Sequence, residues 1–214
     1  MLSLRTVCLL FSSSLAAALE RDDEAKRFAQ YAAEIRTAIW KHLWNKDKQA
    51  FVDGLRSDGR QSERTSQQAN MIPLVLGFTE GEETRGALAA VKRAGYSTAP
   101  MIVRFLVQAY GELDEDEALM EFLLDPKGRN RAYIVADGGS FTYENWLGRN
   151  RKDPGARSES HPVGAHGGVI AVQSYVLGVH PLEPQYARVK IRPHQGELEF
   201  AKGTIPTQRG PIRV

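Results

Sequence analysis

Apolar residues along most of this chain return at intervals of three and four, the period of a helix buried on one side, and near the end they alternate, the period of a strand. Over residues 1–20, Leu4, Cys8, Phe11, Leu15 and Leu19 share one helical face. A second stripe, Phe28, Ala32, Ile35, Ile39 and Leu43, follows the acidic residues Asp22, Asp23 and Glu24 and predicts a helix from Asp22 to about Trp44. Asn45 to Gly59 is turn-rich, and Ala50-Phe51-Val52 ahead of Asp53-Gly54 predicts a short extended segment or hairpin. Thr65 or Ser66 can cap a helix over Gln67 to Leu76, stopped by Gly77 and carrying Pro73 as a source of a kink. Glu80 to Arg93 offers the next, ending at Ala94-Gly95.

Beyond it, a helix is expected from near Thr98 to Gly111, with Pro100 early enough for its missing N–H to cost nothing. Others follow over Glu115 to Leu124 and Val163 to Leu177. Asp125 to Ser140 reads as loop, interrupted by Tyr133-Ile134-Val135. After a linker over Val179 to Gln185, stiffened by Pro181 and Pro184, alternation from Tyr186 to Arg192 and the apolar residues Leu198, Phe200, Ile212 and Val214 predict about three strands. Repetition of helix, loop, helix before these strands implies a mainly α fold of stacked helical hairpins followed by a short antiparallel β segment. Three strands with nothing after them leave an open edge, so the β part reads as the opening of a larger sheet.

Composition narrows the functions available. The chain has 214 residues with 28 basic and 26 acidic side chains, a formal charge of +2, and 25% charged against 42% hydrophobic residues, the balance of a soluble globular protein. Lys and Arg gather no further than Arg149, Arg151 and Lys152, which argues against nucleic acid as a partner. The single Cys8 excludes an internal disulfide framework and a cysteine-based zinc site. His161 and His166 are five apart, which misses the helical spacing of a zinc pair. Gly164, Gly167 and Gly168 follow no strand, so they form no dinucleotide fingerprint, and neither metal nor cofactor is expected. Residues 1–20, with Arg5, an apolar run and a small-residue end, fit a secretory leader as well as an amphipathic helix. No other segment approaches the ~18 apolar residues of a membrane span, so no membrane partner is expected.

Chemistry concentrates in Gly138-Gly139-Ser140-Phe141-Thr142-Tyr143-Glu144-Asn145-Trp146, which places a carboxylate between two large aromatics. Aromatic faces pack on the C–H face of a sugar ring, and a carboxylate beside them can bind hydroxyls or activate water. The same residues would equally serve as core anchors around a solvated Glu144. Downstream, His161 could orient a ligand hydroxyl; with Ser160 and Asp153 it could mimic a hydrolase triad, but no nucleophile elbow surrounds the serine.

The order of several motifs resembles the α-L-rhamnosidase family of glycoside hydrolases. They are Ser66-Gln67-Gln68-Ala69-Asn70, Thr98-Ala99-Pro100-Met101, Phe141-Thr142-Tyr143-Glu144-Asn145-Trp146 and Ser160-His161, then Tyr175-Val176-Leu177-Gly178-Val179, Pro181-Leu182-Glu183-Pro184, Ile191-Arg192-Pro193 and Ala201-Lys202-Gly203-Thr204-Ile205-Pro206-Thr207. The resemblance implies a partial (α/α)6 six-hairpin toroid, with 1–180 as the second half of the barrel and 181–214 as the start of a C-terminal β-sandwich. It also implies an inverting mechanism acting on a rhamnoside, a carbohydrate ligand. Glu144 matches the general base, Trp146 an aromatic beside it and His161 a histidine on the bound sugar; Tyr143 stands at the subsite wall where the family often has Trp. The family's general acid belongs to the first half of the barrel, outside this resemblance. Inverting hydrolysis needs two carboxyls roughly 6.5–9.5 Å apart, so activity would require the missing half, from another chain or through oligomerisation; otherwise the chain is a non-catalytic sugar-binding or structural remnant. Should an acid lie within the chain, Glu159 and Asp153 are the first to test. Leu15 to Phe28 resembles a helix-to-helix junction of the barrel, which favours a retained first helix over a leader and a cytoplasmic over a secreted location.

Overall fold

In a computed structural model, which describes residues 2–128, 130–146 and 166–214, the chain divides into two units, Met1–Gly95 and Tyr96–Val214.

The first unit opens on a hairpin of α1 (Leu2–Ala18) and α2 (Asp22–Leu43). The turn between them is closed by the Arg21 N–H on the Ala16 carbonyl at 2.9 Å, and the Ser13 hydroxyl donates to the Ala25 carbonyl at 2.9 Å. The helix expected over 1–20 forms and packs on α2. Its apolar stripe, however, is not the packed face. Small residues Thr6 and Ala16 are buried, whereas Phe11, Leu15 and Leu19 are 65%, 62% and 59% exposed. On α2 the expected stripe faces inward, with Ala32 and Ile39 buried.

A two-residue hairpin follows, β1 (Trp44–Asn45) antiparallel to β2 (Ala50–Phe51), with Trp44 opposite Phe51. Trp40, Trp44 and Phe51 pack ring against ring at centroid distances of 4.9–5.3 Å beside Ile39 and Phe78. The Trp40 indole satisfies its N–H on the Phe78 carbonyl at 2.8 Å. Helix α3 (Gln67–Val75) is capped by Ser66, whose hydroxyl accepts the Ala69 N–H. From α3 the fully buried Asn70 pairs its amide with both the N–H and the carbonyl of Phe51, at 2.8 and 3.0 Å, extending the strand's hydrogen bonding into the helix layer. Helix α4 (Gly81–Arg93) closes the unit; a Cβ on Gly86 would lie 2.4 Å from the Gln49 carbonyl oxygen, so the helix packs directly on the hairpin turn.

In the second unit a 3-10 turn at Pro100–Ile102 leads into α5 (Val103–Glu112), and α6 (Asp116–Leu124) follows. Val103, Leu106, Val107, Leu119 and Phe122 are buried along this pair. Where the sequence reads as loop, α7 (Arg131–Ala136) forms, N-capped by the Asn130 side chain on the Tyr133 N–H at 2.9 Å. A six-residue helix lacks the repeats that periodicity needs, but Asn ahead of Arg-Ala-Tyr-Ile-Val-Ala carries the capping signal. Of the helix expected over Val163 to Leu177, the described part is α8 (His166–Ile170), continued as π-helix through Ala171–Val176. Tyr175 from the π segment lies against Gly111 of α5, where a Cβ would come within 2.0 Å of its ring.

Two separate hairpins follow: β3 (Val179–Pro181) with β4 (Val189–Ile191), and β5 (Thr204–Ile205) with β6 (Ile212–Arg213); three of these strands lie beyond Tyr186, as expected, and β3 forms in the stretch read as linker. Leu198 to Ala201 is not a strand, and Phe200 is exposed. Val179, which the alternation places in the linker, is fully buried with Leu177 and Ile205 at the centre of this β segment. Its tie to α6 is His194, 5% exposed, with Nδ1 2.6 Å from the Asp116 carboxylate.

Candidate active site

The candidate loop starts where α7 ends. The Asp137 N–H closes the helix on the Tyr133 carbonyl at 2.8 Å, and the Gly138 and Gly139 N–H groups take the Val135 and Ile134 carbonyls at 3.0 and 2.8 Å. Gly138 has φ +74°, a conformation that glycine adopts at no steric cost. Gly139 is required for space instead, since a Cβ there would lie 2.5 Å from the Tyr143 hydroxyl and 2.8 Å from Ile134. The Tyr143 ring therefore lies over Gly139, buried to 2%, and its hydroxyl donates to Asp137 Oδ2 at 3.0 Å. Three residues on, Trp146 is also buried, and its indole N–H donates to the Thr98 carbonyl at 2.6 Å, ahead of the 3-10 turn that starts α5.

Both aromatics thus turn into the protein, and Glu144 between them is left exposed. Anchors at 143 and 146 limit how far the backbone that carries Glu144 can move. Phe141 behaves differently. It is half exposed beside a depression of about 370 Å³ whose walls include Arg131, Ile134, Val135, Ser140 and Thr142. Burial pulls the Arg131 guanidinium below its usual pKa, and the Arg131 side chain approaches Gly168, where a Cβ would lie 2.9 Å from Nε. At such a high starting pKa the group stays charged and puts positive potential beside the loop.

His161, Glu159, Ser160 and Asp153 lie outside the described residues. Tyr143, Glu144 and Trp146 are brought together on one anchored loop. The sequence reading missed Asp137, Gly139 and the Thr98 carbonyl, which hold them. Asp137 carries a weak signal, as a short acidic residue between an apolar run and Gly138-Gly139; the Thr98 carbonyl carries none, because every residue has one. Among the described residues no cluster of three or more His, Cys, Asp or Glu could hold a metal ion, and no helix is long and apolar enough to cross a membrane.

Paired helices followed by short antiparallel strands make this a mainly α fold of helical hairpins. Residues 6–171 match the model of the bacterial α-L-rhamnosidase six-hairpin glycosidase domain, and the chain belongs to that family. Its fold is a partial (α/α)6 six-hairpin toroid followed by a short antiparallel β segment. Among solved structures it is similar to an α-L-rhamnosidase from Dictyoglumus thermophilum, with a TM-score of 0.81, 20% identity, and coverage of 97% of this chain and 23% of that one. It is also similar to a GH78 family rhamnosidase of Bacillus sp. GL1, with a TM-score of 0.76, 25% identity, and coverage of 97% and 22%. A third, the α-L-rhamnosidase from Aspergillus terreus, has a TM-score of 0.74, 18% identity, and coverage of 94% and 23%. The chain therefore spans about a quarter of the length of the structures it matches. No curated protein sequence matches it significantly.

Proposed function

We propose that this chain supplies the general-base side of an inverting α-L-rhamnosidase site. The observation that carries the reading is the placement of Glu144, an exposed carboxylate held between two buried and hydrogen-bonded aromatics in a chain of this family. In the proposed step the ionised carboxylate takes a proton from a water. The oxygen of that water forms a bond to the anomeric carbon as the bond to the leaving oxygen breaks on the opposite face, and a carboxylic acid on that face protonates the leaving oxygen. Tyr143 and Trp146, both buried, fix the loop from the inside, and His161 contacts the sugar.

In this reading 1–180 is the second half of the barrel and 181–214 the opening of the β-sandwich. The acid comes from the remaining barrel, whether in the same polypeptide or another. Removing general-acid assistance typically costs ~10²–10⁴-fold in rate, and removing substrate-positioning groups costs more. The chain alone should therefore show no measurable hydrolysis of an aryl α-L-rhamnoside, while a chimera in which a family member supplies the rest of the enzyme should turn it over. Turnover by the purified chain at rates near those of full-length relatives would refute the division of labour, and Glu159 and Asp153 would then be tested as the acid.

A further inference from the structure

The residues after α7 close on themselves. The Asp137 N–H ends the helix on the Tyr133 carbonyl, and further along the loop the Tyr143 hydroxyl returns to donate to Asp137 Oδ2 at 3.0 Å. Residues 137–143 therefore form a closed lobe mounted on the last turn of α7, and Glu144 is the first residue beyond the closure. Gly139 makes room for it, since a Cβ there would lie 2.5 Å from the Tyr143 hydroxyl.

The contact sits where each partner needs the other. Asp137 is the C-cap of α7, and the negative end of a helix dipole opposes an acid at that position, so its carboxylate gains from a donor. Tyr143 is 2% exposed, and a buried phenol needs an acceptor, most strongly a charged one. One bond meets both needs. Beyond Glu144 the chain is held independently, by the Trp146 indole on the Thr98 carbonyl. Removing the Asp137 carboxylate would leave the loop tied at 146 and slacker at 143, which changes where Glu144 sits and not whether the chain folds. Resting on the reading of Glu144 as the general base, we propose that Asp137 is a positioning residue for it, acting through the Tyr143 hydroxyl and touching neither the water nor the sugar.

Two measurements test the proposal. In the full chain, amide hydrogen exchange over residues 138–146 should quicken by about threefold or more in Asp137→Ala and in Tyr143→Phe, with unchanged circular dichroism spectra. Asp137→Asn should bring exchange back toward the parent, because its side-chain oxygen accepts the same hydroxyl. In a chimera that hydrolyses an aryl α-L-rhamnoside, Asp137→Ala should lower kcat by about tenfold or more with KM little changed, since a displaced base costs rate before it costs binding. Asp137→Asn should recover most of that loss, and Asp137→Ala should add less than about twofold to Tyr143→Phe, as two halves of one contact do. Unchanged exchange or unchanged kcat in Asp137→Ala overturns the proposal. So does a kcat in Asp137→Asn as low as in Asp137→Ala, which would make the charge itself the working group, or losses that add fully in the double variant. Glu144→Gln judges the underlying reading separately. A large loss there beside a parent-like Asp137→Ala sinks the positioning role alone, whereas Glu144→Gln close to the parent sinks both.

Discussion

Trp146 faces into the protein, away from the proposed base it would hold in place. Its ring is buried, and its N–H donates to the Thr98 carbonyl, so it fixes where the loop returns to the fold two residues after Glu144. Trp146→Phe keeps most of the apolar surface and removes the donor, and should cost about 0.5–1.5 kcal/mol in urea melts. In an active chimera the same change should lower kcat more than it raises KM, since a loosened base costs rate before it costs binding. His180 offers a test by pH. Burial first, then the nearby Lys190 and His194, hold its imidazole below the usual histidine pKa. The folded state therefore takes up this proton less readily than the unfolded chain. Its contribution is constant at high pH and turns unfavourable as pH falls below about 6.5, through the depressed folded value. Urea melts from about pH 8 to 5 should show stability falling, with a shallower fall in His180→Gln. Glu144, Trp146 and Tyr143 were legible in the sequence because an aromatic-carboxylate-aromatic run is compositionally odd. What anchors them was not, because a backbone carbonyl and a glycine under a ring leave no mark on a pattern of apolar residues.

At the scale of elements, periodicity located the long helices closely and failed in two instructive places. It missed α7, where six residues are too few to show a period and only the Asn130 cap marks the start. It also found the apolar stripe of α1, which is not the face that packs on α2. Periodicity says that a face is apolar and not what covers it; here the α2 side buries Thr6 and Ala16 while the leucines face outward. Alternation likewise announced strands beyond Tyr186 but not their pairing, and Val179, read as linker, is the buried centre of the segment. Close helix contacts depend on small residues that patterns overlook. Gly111 is one, since a methyl group there would fall 2.0 Å from the Tyr175 ring. Gly111→Ala would raise intrinsic helix propensity by about 1 kcal/mol, yet it should destabilise the chain by roughly 1–3 kcal/mol because the buried ring must move. A thermal melt of the variant above that of the parent would mean that α5 and the π segment do not pack as described.

For the molecule as a whole, family membership and fold rest on residues 6–171, whereas the chain spans only about a quarter of the structures it resembles. Glu144 is the residue on which the proposed chemistry depends. In a chimera that hydrolyses an aryl α-L-rhamnoside, Glu144→Gln keeps the shape and the hydrogen-bonding reach of the side chain and removes its basicity. It should lower kcat by ~10²-fold or more with KM little changed. A kcat within about threefold of the parent, where general-base catalysis requires that larger loss, would make Glu144 a bystander and place the base elsewhere.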